Sequence, residues 1–207
     1  MCIRDRLESH FGLAACILID QERIVIMDKR PHLAPELHVK DWLNTKQLIT
    51  LESLRGKVVL IEAFQMLCPG CVSHGLPQAS KVAQLFNPDD VAVLGLHTVF
   101  EHHEAQGTKT ALEAFLHEYR IPFPVGIDVH ENGVLIPKTM TAYQLRGTPS
   151  LILIDQKGFQ RRQHFGQVDD MLLGAEIMSL LKETSMPAEI TSEESNADSC
   201  DENGCSA

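Results

Sequence analysis

Two cysteines, Cys68 and Cys71, are the residues of this sequence whose type and spacing are best suited to chemistry. They follow an apolar run at 58–64 that is typical of a buried strand, and they open a segment with the pattern of a helix. Two thiols at i and i+3 on a first helical turn lie close enough to form a disulfide. Free N–H groups and the positive end of the helix dipole would also favour the thiolate of Cys68. The pattern therefore predicts a pair of thiols that carries electrons, with Cys71 less exposed and able to resolve a mixed disulfide.

The same cysteine spacing also occurs in half of a zinc site, which would need two further ligands. His74 is the only candidate ligand close to the cysteines in the sequence. The segment 101–104 (Glu-His-His-Glu) and His97 also carry metal-ligating side chains, but they lack the helical or hairpin spacing that joint ligation needs. We therefore favour a redox pair over a metal site, and a solvated loop at 101–104.

Two further residues strengthen the redox interpretation. Glu62 lies inside the apolar run before Cys68, where a carboxylate is costly unless it has a role; the alternative is a strand-edge carboxylate in water. If Glu62 is buried, loss of hydration should raise its pKa towards the working pH, as a proton shuttle requires. Pro149 precedes a second apolar run at 150–155, and a proline is tolerated at the first residue of a strand. In this context the Thr148–Pro149 peptide is predicted to be cis and to lie against the disulfide.

These residues resemble the thioredoxin superfamily, and more closely its TlpA-like or redoxin branch, which is related to AhpC-TSA proteins. The resemblance covers about 33–181, most of the chain. It rests on three motifs: Leu54-Arg55-Gly56-Lys57-Val58-Val59-Leu60, Cys68-Pro69-Gly70-Cys71, and Gly147-Thr148-Pro149 before a strand that ends in Ile154-Asp155.

The resemblance implies a thiol–disulfide oxidoreductase that exchanges electrons with protein disulfide or dithiol partners and is recycled by a reductase. It implies that Cys68 is the attacking thiol and Cys71 the resolving thiol. Pro149 would be the cis-proline beside them, and Glu62 the buried acid that shuttles a proton to Cys71. It implies no cofactor and no resident metal.

The order of apolar patterns predicts an α/β protein with a thioredoxin-like fold, in which helices flank a central mixed β-sheet. The long separation between Cys68 and Pro149 leaves room for an extra strand–helix insertion. Thr110 and Glu113 form a capping box that predicts a helix start, and Asp169 is predicted to cap the last helix. The other predicted elements are a short strand at 39–42, strands at 58–64, 91–97, 122–128, 150–155 and 159–164, and a helix at 71–86 that Pro77 would kink.

Two alternative functions remain open at this point. A thiol peroxidase of the redoxin type would need Thr or Ser three residues before its reactive cysteine, and Pro four residues before that, to orient the peroxide. Gln65 and Ile61 occupy those positions, which argues against efficient peroxide reduction. A copper chaperone would use Cys68, Cys71 and a distant histidine, but such proteins usually have three residues between the cysteines.

Charge and length predict one domain with extensions. We interpret 27–50 as a lead-in, 51–183 as the thioredoxin-like domain and 184–207 as an acidic tail that should be disordered. The net charge is −10, and because no Lys or Arg follows Lys182, the tail contributes most of it. No basic stripe is present to track phosphates, so nucleic acid is not an expected partner.

The acidic tail carries two cysteines, Cys200 and Cys205, which is unusual for a polar terminus. As a flexible chain, the stretch from Lys182 to Cys200 would reach about 23–25 Å. The body should have a radius of gyration of about 15 Å. The tail could therefore reach Cys68, so a relay or resolving role is an alternative to an uninvolved tail.

Residues 1–26 are interpreted as a doubtful N-terminal segment. The first five residues resemble the translation of a sequencing adaptor, so the segment is either an artefact or untranslated. Its apolar stretch is short and flanked by charges, which favours no signal peptide and no membrane span. The expected location is therefore the cytoplasm, or the periplasm if a true signal is missing from the N-terminus.

Overall fold

The computed structural model describes residues 32–131 and 133–185, and the side chains up to 183. Residues 1–26 and nearly all of the acidic tail lie outside these residues, so the interpretations of both segments stay predictions. The strands are β1 (His32–Leu33), β2 (Val39–Leu43), β3 (Val58–Phe64), β4 (Val91–His97), β5 (Val125–Asp128), β6 (Ser150–Ile154) and β7 (Phe159–Phe165). The α-helices are α1 (Leu76–Leu85), α2 (His103–Gln106), α3 (Lys109–Glu118), α4 (Lys138–Ala142) and α5 (Asp170–Ser185).

The described strands form one seven-stranded sheet in the order β1-β7-β6-β3-β4-β5-β2. Strand β3 pairs in parallel with β4, which pairs in parallel with β5, whereas β6 is antiparallel to both β3 and β7. The predicted mixed sheet is therefore confirmed. The extra unit expected between Cys68 and Pro149 is β5 with α4. Because β3 is central and both its faces are covered, every residue of its apolar run is buried.

The sheet separates two apolar clusters. Leu60 and Phe64 of β3 pack in one cluster with buried residues of α1, α3 and α5. Ile61 and Ala63 point to the other face and pack in a second cluster with Met140 of α4. This alternation along β3 places Glu62 on the face that carries α1, α3 and α5. No helix in the described part of the chain is long and apolar enough to span a membrane.

The helix after the cysteines differs from the prediction. Instead of one kinked helix at 71–86, the chain forms a π-helical segment at Cys71–Gly75 followed by α1. Pro77 lies in the first turn of α1. Because proline has no N–H, it cannot donate back to the preceding turn, and the first turn of a helix tolerates this loss.

The start of α3 also differs. The predicted capping box at Thr110 is wrong, because Thr108 is the N-cap and its hydroxyl accepts a hydrogen bond from the Ala111 N–H at 3.2 Å. The strand predicted at 122–128 begins only at Val125. Two other predictions are confirmed. The Asp169 carboxylate accepts from the N–H groups at the start of α5, and the strands predicted at 150–155 and 159–164 are β6 and β7, which pair antiparallel as a hairpin.

Candidate active site

Cys68 lies between β3 and the helical segment that begins at the next residue. The N–H of Cys71 donates to the Cys68 Sγ at 3.3 Å, as expected for a side chain at a helix N-terminus. The Cys68 thiol in turn lies 3.5 Å from the carbonyl oxygen of Thr148 and donates to it. This sulfur therefore has a backbone donor that would stabilise its negative charge.

Cys71 has the opposite environment. Both cysteines are free thiols, but Cys68 is partly exposed whereas Cys71 is fully buried. Burial, with a further contribution from Cys68, raises the pKa of Cys71 to about 12. Hydrogen bonds from the Gln65 backbone and the Thr148 side chain lower the pKa of Cys71, but by less than burial raises it. The two thiols therefore differ strongly in accessibility, as their positions in the sequence predicted.

Glu62 is buried, with 1% of its surface exposed. Burial raises its pKa well above the ordinary value, and the neighbouring Cys68 adds to the shift. Its Oε1 has no hydrogen-bond partner among the described residues. A Cβ atom at Gly75 would overlap this oxygen, so glycine is required where the π-helical segment passes over the carboxyl group. The alternative of a solvated strand-edge carboxylate is therefore wrong.

The Thr148–Pro149 peptide bond is cis, as predicted. The Pro149 ring lies against the helical segment: a Cβ at Gly70 would be 3.2 Å from its Cδ, and a Cβ at Gly75 would be 3.1 Å from its Cβ. The structure therefore brings Cys68, Cys71, Glu62 and Pro149 together around the end of β3. What each residue does there stays a prediction.

A buried amide pair supports this loop and was not found from the sequence. Gln65 and Gln106 are only 3% and 1% exposed, and the Gln106 amide donates to the Gln65 side-chain oxygen at 3.0 Å. The same Gln65 oxygen accepts from the N–H groups of Phe100 and Glu101. The Gln106 oxygen accepts from the N–H of Leu67, the residue before Cys68, at 3.1 Å. The pair therefore joins the cysteine loop to the segment that contains α2.

The outer edge of the site is apolar and basic. The side chains of Leu67 and Phe165 are 56% and 55% exposed, although both are large and apolar. The Arg146 guanidinium lies 5.7 Å from the centre of the Phe165 ring, in cation–π range. The Phe165 ring also packs against Gly147, where a Cβ would be 3.0 Å from the ring. We call Leu67, Arg146 and Phe165 the active-site rim.

A small cavity borders Glu62 on another side. It encloses about 260 Å³ and is lined by polar side chains of α1 and of the segment before α5. Its lining includes Gly75, Gln78, Val168 and Asp169 besides Glu62. Neither Cys68 nor Pro149 lines it.

The histidines do not complete a metal site with the cysteines. In residues 32–131 and 133–185, no three side chains of His, Cys, Asp or Glu lie close enough together to hold a metal ion. His97 is instead buried beside Phe64, and burial lowers its pKa to about 4. His74 is exposed. The zinc and copper-chaperone alternatives therefore find no cluster of ligands in the described part of the chain.

Comparisons with known proteins agree with this geometry. The model of the AhpC/TSA family matches residues 32–162. A thioredoxin-like superfamily protein of known crystal structure is 62% identical with a TM-score of 0.70, covering 72% of this chain and 96% of that one. A thiol-disulfide isomerase from Corynebacterium glutamicum is 52% identical with a TM-score of 0.68, at the same coverage.

A longer relative matches over the same region. Protein DipZ of Mycobacterium tuberculosis is 33% identical over 142 residues, which make up 66% of this chain. The chain spans only 19% of the length of DipZ. The predicted thioredoxin-like fold and redoxin family are confirmed: the chain belongs to the AhpC/TSA family, and within it resembles thiol–disulfide oxidoreductases.

Proposed function

We propose that this chain is a thiol–disulfide oxidoreductase that exchanges electrons with protein partners through Cys68 and Cys71. The observation that carries the proposal is the contrast between the two sulfurs. The Cys68 sulfur is partly exposed and accepts from the N–H of Cys71, whereas the Cys71 thiol is buried with a pKa of about 12. Cys68 is therefore placed to attack the partner's disulfide, and Cys71 to attack the mixed disulfide that results.

The reaction uses two exchanges. In the reducing direction, the Cys68 thiolate attacks one sulfur of the partner's disulfide, a Cys68–partner disulfide forms, and the partner's other sulfur leaves as a thiolate. Cys71 then loses its proton and attacks Cys68, which releases the reduced partner and leaves a Cys68–Cys71 disulfide. A recycling dithiol or reductase returns the pair to thiols, and in the oxidising direction the steps reverse.

Glu62 has the proton role in this proposal. A thiol with a pKa of about 12 is a poor nucleophile until it loses its proton. A carboxyl group with a raised pKa exchanges a proton with such a thiol at a smaller free-energy penalty than an ordinary carboxylate does. Glu62 lies on the face of β3 whose neighbours, Leu60 and Phe64, pack in the same cluster as Cys71. In this proposal the ionised form of Glu62 accepts the proton of Cys71 and later returns it.

Pro149 and Thr148 form the partner-facing wall of the proposed site. Pro149 lies along the helical segment that bears both cysteines, and the Thr148 carbonyl accepts from the Cys68 thiol. A partner sulfur that approaches Cys68 must therefore pass beside this peptide. Pro149 would keep the approach narrow and in a fixed orientation.

The peroxidase alternative is less well supported. Gln65 stands where such an enzyme would need a hydroxyl, and its side-chain oxygen already accepts from Gln106, Phe100 and Glu101. Ile61 is fully buried in the cluster on the opposite face of the sheet. Neither side chain can orient a peroxide at Cys68, so hydrogen peroxide should be turned over slowly.

The compartment is proposed from the chemistry of the partners. Protein disulfides form and persist in oxidising compartments, whereas cytoplasmic thiols are kept reduced. Because the proposed substrates are protein disulfides and dithiols, we favour the periplasmic alternative over the predicted cytoplasm. Osmotic shock of cells that express the natural gene should release the protein with the periplasmic fraction. Retention with cytoplasmic markers would contradict this location.

Insulin reduction tests the activity. Supplied with a dithiol, the protein should reduce insulin disulfides, and Cys68→Ser should abolish the turnover. Reduced Cys71→Ser, freed of the dithiol before insulin is added, should instead accumulate mixed disulfides with insulin chains, because Cys68 can still attack but no second thiol releases it. Rapid hydrogen peroxide consumption that survives Cys71→Ser, with no insulin reduction, would support the peroxidase in place of this proposal.

A further inference from the structure

The acidic tail combines two thiols with a strong negative charge. Beyond α5 it contains two cysteines, six acidic residues and no Lys or Arg. Cys200 is flanked by Asp198, Asp201 and Glu202, and Cys205 follows five positions later. Two thiols in one strongly negative segment suit a positively charged exchange site better than they suit an inert terminus.

The active-site rim has the complementary chemistry. Arg146 is exposed, and among the described side chains it forms no ion pair. It lies two residues before Thr148, whose carbonyl accepts from Cys68, and it stacks on the exposed ring of Phe165. Leu67 adds a second exposed apolar side chain next to Cys68. The rim can therefore attract an acidic segment and hold its apolar atoms beside the reactive sulfur.

The length of the tail is sufficient for this contact. Helix α5 ends at the opposite end of the sheet from Cys68, because Glu183 pairs with Arg161 and Arg161 pairs with Asp155, which follows β6. Ile154 of β6 lies opposite Val59, near the start of β3, whereas Cys68 follows the end of β3. A seven-residue strand is about 23 Å long. The fifteen residues from Ser185 to Cys200 span at most about 50 Å when extended, so the tail can reach the rim.

We propose that the acidic tail of the same chain docks on the active-site rim and that its two cysteines exchange electrons with Cys68 and Cys71. The inference rests on the proposed function, because it needs Cys68 to be the exchanging thiol. It adds a second redox pair, Cys200 and Cys205, that relays electrons between the active site and the exterior. Arg146 acts as the positioning residue that holds the negative segment.

The exchange balances without an outside reagent. When the active-site pair is oxidised, the Cys200 thiolate attacks the Cys68 sulfur, the Cys68–Cys71 bond breaks, and the Cys71 sulfur takes up a proton. The Cys205 thiolate then attacks Cys200, and Cys68 leaves as a thiolate that takes up the second proton. Two electrons and two protons have moved from the tail to the active site, leaving a Cys200–Cys205 disulfide.

A trapped mixed disulfide tests the inference. Full-length Cys71→Ser, reduced and then oxidised with diamide at low protein concentration, should form a disulfide between Cys68 and a tail cysteine. Because the chain has no Lys or Arg after Lys182, trypsin releases both tail cysteines in one peptide, which mass spectrometry can find linked to the Cys68 peptide. This link in protein of monomer mass supports the inference. A link found only in covalent dimers, or a Cys68 that stays unlinked to the tail, overturns it.

Charge variants separate docking from random collision. Arg146→Gln in the Cys71→Ser background should form the link roughly threefold to tenfold more slowly at low salt. The difference should disappear in about 1 M salt, where exposed charges are screened. Lys46→Gln is the matched control, because Lys46 is an exposed cation beyond the opposite end of the sheet, and it should leave the rate unchanged. Equal rates for the two variants would remove Arg146 from the inference.

The insulin assay distinguishes this inference from the proposed function. Cys200→Ser/Cys205→Ser should still reduce insulin with a dithiol, because Cys68 and Cys71 are intact. If it does so while Cys71→Ser with an intact tail forms no Cys68–tail link, the inference fails and the proposed function stands. If neither the wild type nor this variant reduces insulin, the proposed function itself fails.

Discussion

The side-chain amide of Gln106 donates to the side-chain oxygen of Gln65 at 3.0 Å, and together the two residues fix the backbone on which Cys68 is carried. The Gln106 oxygen accepts from the Leu67 N–H, and the Gln65 carbonyl accepts from the Cys68 N–H at 3.2 Å. Both amides are buried, so each bond forms away from competing water. The position of the Cys68 sulfur therefore depends on a residue of α2 that is remote from it in sequence.

Gln106→Leu should lower both stability and the reactivity of Cys68. The variant leaves the Leu67 N–H without its acceptor and the Gln65 oxygen with one donor fewer, which should cost about 1–3 kcal/mol in the free energy of unfolding. Urea denaturation measures the first effect and the rate of Cys68 alkylation the second. Gln47→Leu, in an exposed loop, is the control and should change neither. Normal alkylation in a destabilised Gln106→Leu would show that the amide pair is purely structural.

Glu62→Gln should become more stable than the wild type as pH rises. The folded chain raises the pKa of Glu62, so the contribution of this group is fully present below the ordinary value of 4.5 and is lost as pH rises towards the folded value. The neutral amide does not ionise and has no such loss. The free energy of unfolding of Glu62→Gln should therefore rise relative to that of the wild type by up to about 1.4 kcal/mol per pH unit in that interval. Urea denaturation of both proteins across the pH range measures the difference.

The exposed Glu104→Gln should stay within about 0.5 kcal/mol of the wild type throughout that range. Despite its gain in stability, Glu62→Gln should release mixed disulfides more slowly, because Cys71 would lack the proton acceptor proposed for it. A pH-independent difference in stability would show that the Glu62 carboxyl is not held protonated in the folded chain.

Alkylation should distinguish the two thiols. With limiting iodoacetamide below neutral pH, Cys68 should be labelled on the order of tenfold or more faster than Cys71, because Cys71 is buried and its pKa is about 12. Peptide mapping after a timed quench gives both rates, and labelling in denaturant should make them equal. Equal rates in the folded protein, or faster labelling of Cys71, would contradict the assigned roles.

Gly75→Ala should destabilise the chain, whereas Gly174→Ala should not. The added methyl group at position 75 would overlap the Glu62 carboxyl and crowd Pro149, which should cost about 1–3 kcal/mol. At Gly174, on α5, a Cβ meets nothing within 4 Å, and alanine should stabilise the helix by about 0.5–1 kcal/mol. Thermal denaturation of the pair compares them directly. A neutral Gly75→Ala would mean that Glu62 can move away at little cost.

The residues that the sequence identified are those with a local signal. Cys68 and Cys71 stand out by spacing, Glu62 by its place in an apolar run, and Pro149 by its place before one, and the structure brings all four together. The central strands followed in the same way, because β3, β4 and β6 are each a separate apolar run.

What the sequence did not reveal depends on contacts between distant residues. Gln106 lies on a four-residue helix with no apolar periodicity, and its partner Gln65 is 41 positions away. Thr108 and Thr110 both satisfy a helix-start pattern, and only the packing of Leu112 and Leu116 against the sheet decides between them. The contact of Arg146 with Phe165 has no sequence signature, because it depends on the register in which β7 pairs with β6.

The cavity of about 260 Å³ that borders Glu62 is lined by residues other than those that surround Cys68. In the proposed function a partner that docks on Cys68 would cover Pro149 and the active-site rim, none of which lines the cavity. If Glu62 has the proton role proposed for it, water that entered the cavity would exchange protons with it while a bound partner covered the sulfurs. The size of the partner should then not limit the proton step of the exchange.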